Sequence, residues 1–283
     1  MKKRKNILKV PIIILSILAA IFIVGAVIAC IIASRGVISE SEDDKPRIAL
    51  PEHGYNFINL HTENEIKSYE DDLHTSMFGI DVSVFQDHID FAKIKENGVE
   101  FVYMRIGYRR AEKGELMADK QFENFYPEAI NNGLKVGIYF YSQAINEQEA
   151  IEEAQYALAL LNGRKIDLPI VYDYEETYIS DGVSRMADIS NEQRTRNAIA
   201  FLEEIKKSGH DVMIYANLNW LEDIYIEEDI KEYKIWYAQY DCDYPNITRP
   251  FSMWQYSNTG EIEGVEGFVD LDILFIDKED ANE

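Results

Sequence analysis

The sequence predicts an α/β protein: an irregular TIM-like (β/α) barrel with helix-poor C-terminal strands, preceded by a transmembrane helix. Three observations lead to this fold class. Strand-like and helix-like segments alternate from residue 78 onward, and Asn-Gly or Ser-Gly pairs follow the helical segments, where glycine commonly ends a helix. The helical pattern fades after residue 240. An uncharged run near the N-terminus is long enough to span a bilayer.

The N-terminal segment carries the membrane prediction. Residues 1–9 are basic and residues 10–34 contain no charged side chain, so we expect a cytoplasmic tail followed by a transmembrane anchor. The positive-inside rule then places the remaining chain outside the cell membrane, on the cell-wall side, as a single-pass protein. The stretch Val27-Ile-Ala-Cys30 also resembles a bacterial lipoprotein processing box, which leaves lipidation at Cys30 as an alternative.

The rest of the chain divides into a linker and a barrel. Residues 35–76 are polar and acidic with little periodicity, which predicts an extracellular stalk in which pieces such as residues 55–60 are candidates to pack on the domain. Residues 77–283 are predicted to form the barrel. Its strands are predicted at 78–83, 101–107, 136–142, 170–174, 212–216, 234–238, 251–257 and 268–274, and its helices at 91–97, 119–132, 147–161 and 191–208.

The composition restricts the partners and cofactors. A net charge of −23 argues against nucleic acid, whose phosphates would be repelled. The two cysteines, Cys30 and Cys242, fall in segments assigned to different compartments, so no disulfide framework is expected. The five histidines are scattered and match no metal-binding motif, and we therefore expect neither a metal nor another cofactor.

One predicted strand, residues 170–174, ends in acidic residues. Side chains alternate along a strand, so Asp173 and Glu175 point the same way with Tyr174 opposite. Partial burial and a like-charged neighbour both raise a carboxyl pKa, which is how proteins obtain a proton donor near neutral pH. The alternative is an acidic strand end that continues into a solvated loop, since Glu176 follows.

Other strand ends carry acids and aromatic residues. Asp81 lies in the first predicted strand, Trp254 and Gln255 in a late one, and Asp270 and Asp272 in the last. The C-terminal ends of strands in a parallel barrel face one mouth, where active sites are built. Each acid alone is more often structural, but their joint placement favours a shared site.

Seven motifs together resemble the family 25 glycoside hydrolases, bacterial and phage-type lysozymes that cleave peptidoglycan. The resemblance extends from about residue 78 to residue 275. In chain order the motifs are Gly79-Ile-Asp81-Val-Ser-x-x-Gln86, Phe101-Val-Tyr-Met-Arg105-Ile-Gly, Val136-Gly-Ile-Tyr-Phe-Tyr141, Asp173-Tyr-Glu175, Ile235-Trp-Tyr-Ala-Gln239-Tyr, Trp254-Gln255-Tyr256 and Val269-Asp270-x-Asp272. The family fold is an irregular barrel whose later strands lack helices, as the fading pattern here predicts.

The resemblance implies roles for individual residues. Glu175 is expected to be the general acid and Asp173 its orienting or stabilising neighbour, with Asp81 and Asp270 completing an acidic floor. The expected substrate-binding residues are Tyr141, Gln255, Tyr215, Trp254 and Asp272. The family usually has Asn at the position of Asp272, and this extra carboxylate is expected to alter the local pKa values.

The expected function is therefore a lysozyme that cleaves the β-1,4 bond between N-acetylmuramic acid and N-acetylglucosamine in peptidoglycan glycan strands. A non-catalytic wall-binding module on the same barrel is one alternative, and it predicts a missing acid. A divalent-cation phosphoesterase is another, because carboxylates bind Mg²⁺. The aromatic surroundings and the lack of Lys or Arg near the acids argue against a phosphate substrate.

Overall fold

The structure is a computed structural model that describes residues 52–177 and 184–279, and these contain eleven strands and five α-helices. The strands are β1 (Leu60–Glu63), β2 (Ile66–Tyr69), β3 (His74–Val82), β4 (Phe101–Arg109), β5 (Leu116–Ala118), β6 (Lys135–Ser142), β7 (Ile170–Tyr174), β8 (Val212–Asn217), β9 (Lys234–Ala238), β10 (Met253–Gly260) and β11 (Val269–Asp277). The helices are α1 (Phe91–Glu96), α2 (Phe122–Asn131), α3 (Glu147–Leu161), α4 (Asn191–Lys206) and α5 (Glu227–Ile230).

Eight strands close into a barrel in the order β3-β11-β10-β9-β8-β7-β6-β4, and β4 pairs back to β3. Neighbouring strands are parallel except at β11, which runs antiparallel to both β10 and β3. Because β11 is reversed, its first residues lie at the same end of the barrel as the last residues of the parallel strands. We call this end the mouth.

Local chemistry sets where the crossover helices begin and end. The side chains of Asp90, Asn146 and Ser190 each accept a backbone N–H from the first turn of α1, α3 and α4, respectively. Gly98 and Gly163 follow α1 and α3 with φ values of +92° and +73°, a left-handed conformation that costs glycine little. The glycine signals read from the sequence therefore do mark helix ends.

The predicted elements are confirmed with small shifts in their bounds. All eight predicted strands are barrel strands, and the predicted helix at 119–132 begins later, at Phe122, because the Asp119 side chain accepts the Gln121 N–H and forms a turn there. Residues 239–252 and 261–268, which are fully described, contain no helix, as expected for the C-terminal strands. The sequence pattern missed β1, β2, β5 and the helical turns between residues 220 and 230.

Aromatic rings fill the interior of the barrel. Phe101, Tyr103 and Trp236 are buried there, with the Tyr103 and Trp236 ring centroids 4.9 Å apart. Two glycines make room for them, since a Cβ atom on Gly79 would overlap the Phe101 ring and one on Gly137 would overlap the Tyr103 ring. The interior is thus a packed core, with a cavity towards each end of the barrel.

The segment before the barrel is folded against it. Tyr55 is buried and stacks on Phe275 with ring centroids 4.3 Å apart, and the Nζ atom of Lys67 lies 5.1 Å above the Trp254 ring. The predicted stalk at 35–76 is therefore corrected over residues 52–76, where β1 and β2 form a packed hairpin. The polar character of this segment in the sequence did not indicate that its side chains contact β10 and β11.

The predicted cytoplasmic tail at 1–9 and transmembrane anchor at 10–34 lie outside the described residues, as does the first part of the predicted stalk, residues 35–51. Within 52–177 and 184–279, no helix combines the length and apolar character needed to cross a bilayer.

Candidate active site

A cavity of about 420 Å³ opens at the mouth of the barrel. Asp81 at the end of β3, Asp173 at the end of β7, Glu175 just beyond it and Asp270 at the start of β11 all line this cavity. The expected binding residues Tyr141, Tyr215 and Gln255 line it as well. All four predicted acids therefore converge on one site, although they come from three strands distant in sequence.

Asp173 and Glu175 are neighbouring carboxyl groups at the end of β7. Burial raises the pKa of Asp173 well above its usual range, and the neighbouring charges of Glu175 and Asp81 raise it further. Burial likewise raises the pKa of Glu175, whose side chain is half-buried. The two carboxyl groups are close enough in space to influence each other's pKa. The pair therefore holds a proton at a pH where isolated carboxyls have lost theirs.

Asp81 and Asp270 face each other across β3 and β11, as directly paired residues in the antiparallel register. Burial raises the pKa of Asp81 well above its usual range, and the Asp270 charge adds to this increase. Burial also raises the pKa of Asp270 to about 6. Because β11 is reversed, Asp270 comes from the start of its strand and still lies at the mouth.

Gln255 is held between Asp81 and two phenols. Its Nε2 donates to Asp81 Oδ2 at 2.6 Å, while its Oε1 accepts from Tyr215 Oη at 2.7 Å and Tyr240 Oη at 2.6 Å. Two O–H donors on the oxygen fix which way the amide points, and the nitrogen must then face Asp81. Gln255 lines the cavity as expected, and its strongest contacts are to other residues of the site.

Asp272 lies beneath the cavity and does not line it. The residue is completely buried, and its Oδ1 accepts a hydrogen bond of 2.8 Å from Trp236 Nε1. Burial raises the pKa of Asp272 well above its usual range, and the charges of Asp81 and Asp270 raise it further. Among the described residues, Asp272 Oδ2 has no hydrogen-bond partner. Asp272 is therefore separated from the cavity, contrary to the expectation that it binds substrate.

Trp254 is not at the mouth, contrary to the expectation that it binds substrate. Its indole is completely buried on the outer side of the barrel, where Nε1 donates to the backbone oxygen of Gln239 at 2.8 Å. Adjacent residues on a strand point to opposite faces, so Gln255 inside the barrel requires Trp254 outside it. The alternation that aligns Asp173 with Glu175 could have excluded this residue.

Sequence reasoning missed several residues that line the cavity. Arg105 is the most consequential, since no Lys or Arg was expected near the acids. It lies two positions after the inward-facing Tyr103 on β4, so the period-two pattern could have identified it. The other lining residues that were not predicted as site residues are Val82, Ser83, Phe85, Gln86, Tyr139, Trp236, Tyr240 and Asn258.

Several known proteins are similar to this chain in sequence or in fold. An autolytic lysozyme from Clostridium acetobutylicum is 31% identical over 196 residues, which cover 69% of this chain and 55% of that protein. The chain thus spans about half the length of this relative.

Two solved structures share the fold. A family 25 glycosyl hydrolase from Bacillus anthracis aligns with a TM-score of 0.61 at 22% identity, over 81% of this chain and 98% of that one. The modular autolysin LytC from Streptococcus pneumoniae, solved in complex with a synthetic peptidoglycan ligand, aligns with a TM-score of 0.62 at 23% identity, over 77% of this chain and 52% of that one.

The family model gives the most direct assignment. The model for glycosyl hydrolases family 25 matches residues 80–265, which begin in β3 beside Asp81 and include Asp173, Glu175 and Gln255. The match includes all or part of seven of the eight barrel strands, all except β11. The chain therefore belongs to the glycosyl hydrolases family 25.

Proposed function

We propose that this protein is a lysozyme that hydrolyses the β-1,4 bond between N-acetylmuramic acid and N-acetylglucosamine in peptidoglycan. The observation that carries the proposal is the proton-holding pair Asp173 and Glu175 in a cavity that also contains Asp81 and Asp270. The autolytic lysozyme relative and the peptidoglycan ligand bound to LytC support the choice of substrate. Glycosidic cleavage needs a proton for the leaving oxygen and negative charge near the anomeric carbon, and this site supplies both.

Glu175 is the proton donor in this proposal. Its carboxyl is less buried than that of Asp173, so it can reach a sugar oxygen in the open part of the cavity. Burial raises the pKa of Glu175, so its carboxyl stays protonated to a higher pH than an exposed glutamate. After transfer to the leaving oxygen, Glu175 is ionised and can accept a proton from the incoming water.

Asp173 stabilises the positive charge that develops at the anomeric carbon in this proposal. Its side chain extends from the same strand as Glu175 and runs beside it, which suits a neighbour that stabilises positive charge better than a nucleophile facing Glu175 across the bond. In this arrangement the N-acetyl group of the substrate attacks the anomeric carbon, and Asp173 holds that group. Asp270, whose pKa of about 6 leaves it ionised at neutral pH, adds negative charge beside Asp81 at the mouth.

Product analysis tests the proposal and the position of the cut. The full-length chain, purified in detergent, is incubated with purified peptidoglycan, and the digest is reduced with borohydride before sugar analysis. A muramidase leaves N-acetylmuramic acid at the new reducing ends, so muramicitol is the expected product. Glucosaminitol as the main reduced sugar would assign a glucosaminidase, and no new reducing end would refute hydrolysis.

The two alternatives predict other outcomes. A wall-binding module would bind peptidoglycan and release nothing, although it was expected to lack an acid and all four acids are present at the cavity. A metal-dependent phosphoesterase would stop in excess EDTA, whereas turnover by this carboxyl site is expected to continue.

We also propose that residues 10–34 anchor the protein in the cell membrane with the barrel on the cell-wall side. The basic residues at 1–9 and the uncharged run that follows support this topology. Such an anchor would restrict the enzyme to nearby glycan, which suits remodelling of the cell's own wall. Protease added to wall-stripped cells should degrade the barrel and spare an N-terminal fragment, and protection of the whole chain would refute the orientation.

A further inference from the structure

Phe85 is an exposed aromatic residue at the edge of the cavity. Its side chain is 80% exposed, yet it lines the same cavity as Glu175. Single exposed apolar residues are common on protein surfaces, so exposure alone indicates nothing. The surroundings of Phe85 are unusual because a series of contacts holds the ring in its exposed position.

The first of these contacts is with Arg105. The guanidinium carbon of Arg105 lies 5.2 Å from the centre of the Phe85 ring and 5.1 Å from the centre of the Tyr108 ring. Arg105 Nε donates to Asp119 Oδ2 at 2.7 Å, and the Asp119 side chain is completely buried. A fixed cation therefore supports the Phe85 ring from the side of the protein.

The backbone next to Phe85 is fixed by the same carboxylate. Val84 N–H donates to Asp119 Oδ2 at 3.0 Å, so one buried group orients both the chain before Phe85 and the guanidinium beneath its ring. The turn is closed further by Ser83 N–H, which donates to Gln86 Oε1 at 3.0 Å. The exposed ring thus lies on a braced turn, and little conformational entropy remains to be lost when a ligand binds it.

The chemistry of this edge is amphipathic. Phe85 presents an apolar ring, and the terminal nitrogens of Arg105 make no hydrogen bond to any residue in 52–177 or 184–279. A pyranose ring has the matching character, with C–H groups on its face and hydroxyl groups at its edge. An aromatic ring can pack against the face while N–H donors bind the hydroxyls.

We propose that Phe85, supported by Arg105 and Tyr108, is a stacking platform for a sugar ring of the glycan strand next to the ring that is cleaved. This inference rests on the proposed function for its ligand and adds a binding position to it. Because the Phe85 ring is uncharged, the platform supplies affinity that does not depend on attracting a charged group. It therefore recognises the glycan itself and not the peptide stems attached to it.

Binding measurements on the full-length Glu175→Gln variant in detergent test the platform without hydrolysis. The probe is a peptide-free tetrasaccharide of the glycan strand, and the Kd is measured by calorimetry. Adding Phe85→Ala should weaken binding by about three- to tenfold, the range expected for the loss of one stacking contact. Phe85→Trp keeps an aromatic face and should retain the affinity. Leu73→Ala is the control and should have no effect on the Kd. Leu73 is 69% exposed and directly precedes β3, at the end of that strand away from the mouth.

The result that would overturn the platform is an unchanged Kd in Phe85→Ala. A loss of affinity seen only with peptide-bearing strands would overturn it too, because it would assign Phe85 to the stems. The high exposure of Phe85 means that these variants should fold normally, which thermal melting checks. Failure of the proposed function is a separate outcome: the unmodified enzyme would release no reducing ends, while the binding data would still report on the platform.

Discussion

The amide nitrogen of Gln255 lies 2.6 Å from the carboxylate of Asp81, although 174 positions separate the two residues in the chain. This hydrogen bond links β10 to β3 across the mouth, on either side of the reversed strand β11. It holds Asp81 in one orientation beside Asp270. The acidic site is thus positioned by a neutral side chain, whose own orientation depends on two phenols.

Those phenols should act redundantly. Tyr215→Phe and Tyr240→Phe each leave Gln255 Oε1 with one donor, so each single variant should lose no more than about threefold in kcat/KM. The double variant leaves this oxygen without a donor and frees the amide to turn, so it should lose about tenfold or more. Tyr233→Phe, at the solvent-exposed bond to Glu203, is the matched control. Losses that simply multiply would contradict the shared role.

Glu175→Gln should fold as the parent does and lose turnover. Glutamine has nearly the same shape but cannot protonate the leaving oxygen, and loss of general acid catalysis costs about 10²–10⁴-fold in kcat. The measurement is release of reducing ends from purified peptidoglycan. Glu176→Gln removes the adjacent, exposed acid and should retain the parent rate. Half or more of the parent activity in Glu175→Gln would assign the proton to another group.

Asp272→Asn should make stability less dependent on pH. Burial raises the pKa of Asp272, so the folded protein binds this proton more tightly than the unfolded chain does. Its stabilising contribution is therefore complete below the pKa of an unfolded Asp and is lost as the pH rises through the folded pKa. Asparagine does not titrate, and its side-chain oxygen can still accept the hydrogen bond from Trp236 Nε1.

The Tm of Asp272→Asn should consequently exceed that of the parent at neutral pH and above. A gain of about 1 kcal/mol corresponds to about 2–4 °C in a domain of this size. Melting curves followed by circular dichroism from acidic to alkaline pH give the comparison. The exposed Asp229→Asn substitution should follow the parent curve. Parallel curves for Asp272→Asn and the parent would mean that this proton is not retained on folding.

Tyr55→Ala tests whether the segment before the barrel belongs to the folded domain. The ring is stacked on Phe275, and its hydroxyl donates to the Phe251 oxygen at 3.1 Å. Removal of a buried aromatic side chain should lower the free energy of unfolding by about 3–5 kcal/mol. Ile58→Ala, in the same segment but 83% exposed, should change it by less than about 0.5 kcal/mol. A flexible stalk would make both substitutions neutral in denaturant unfolding.

The sequence by itself determined the features that depend on neighbouring residues. Helix ends followed from glycines such as Gly98 and Gly163, because only short-range backbone geometry is involved. The common direction of Asp173 and Glu175 followed from the two-residue repeat of a strand. These local rules were sufficient to predict the barrel strands and to place the acids near strand ends, while the roles of the four cavity acids came from the resemblance to the family 25 glycoside hydrolases.

Tertiary structure alone decided which strand faces meet and in which direction the strands run. Reversal of β11 brings Asp270 beside Asp81, and no local pattern encodes the direction of a strand that pairs with residues so far away. The same closure turns Gln255 inward and Trp254 outward, and it brings Arg105 to the acids. Alternation divides a strand into two faces, but only burial against the rest of the barrel selects the inner one.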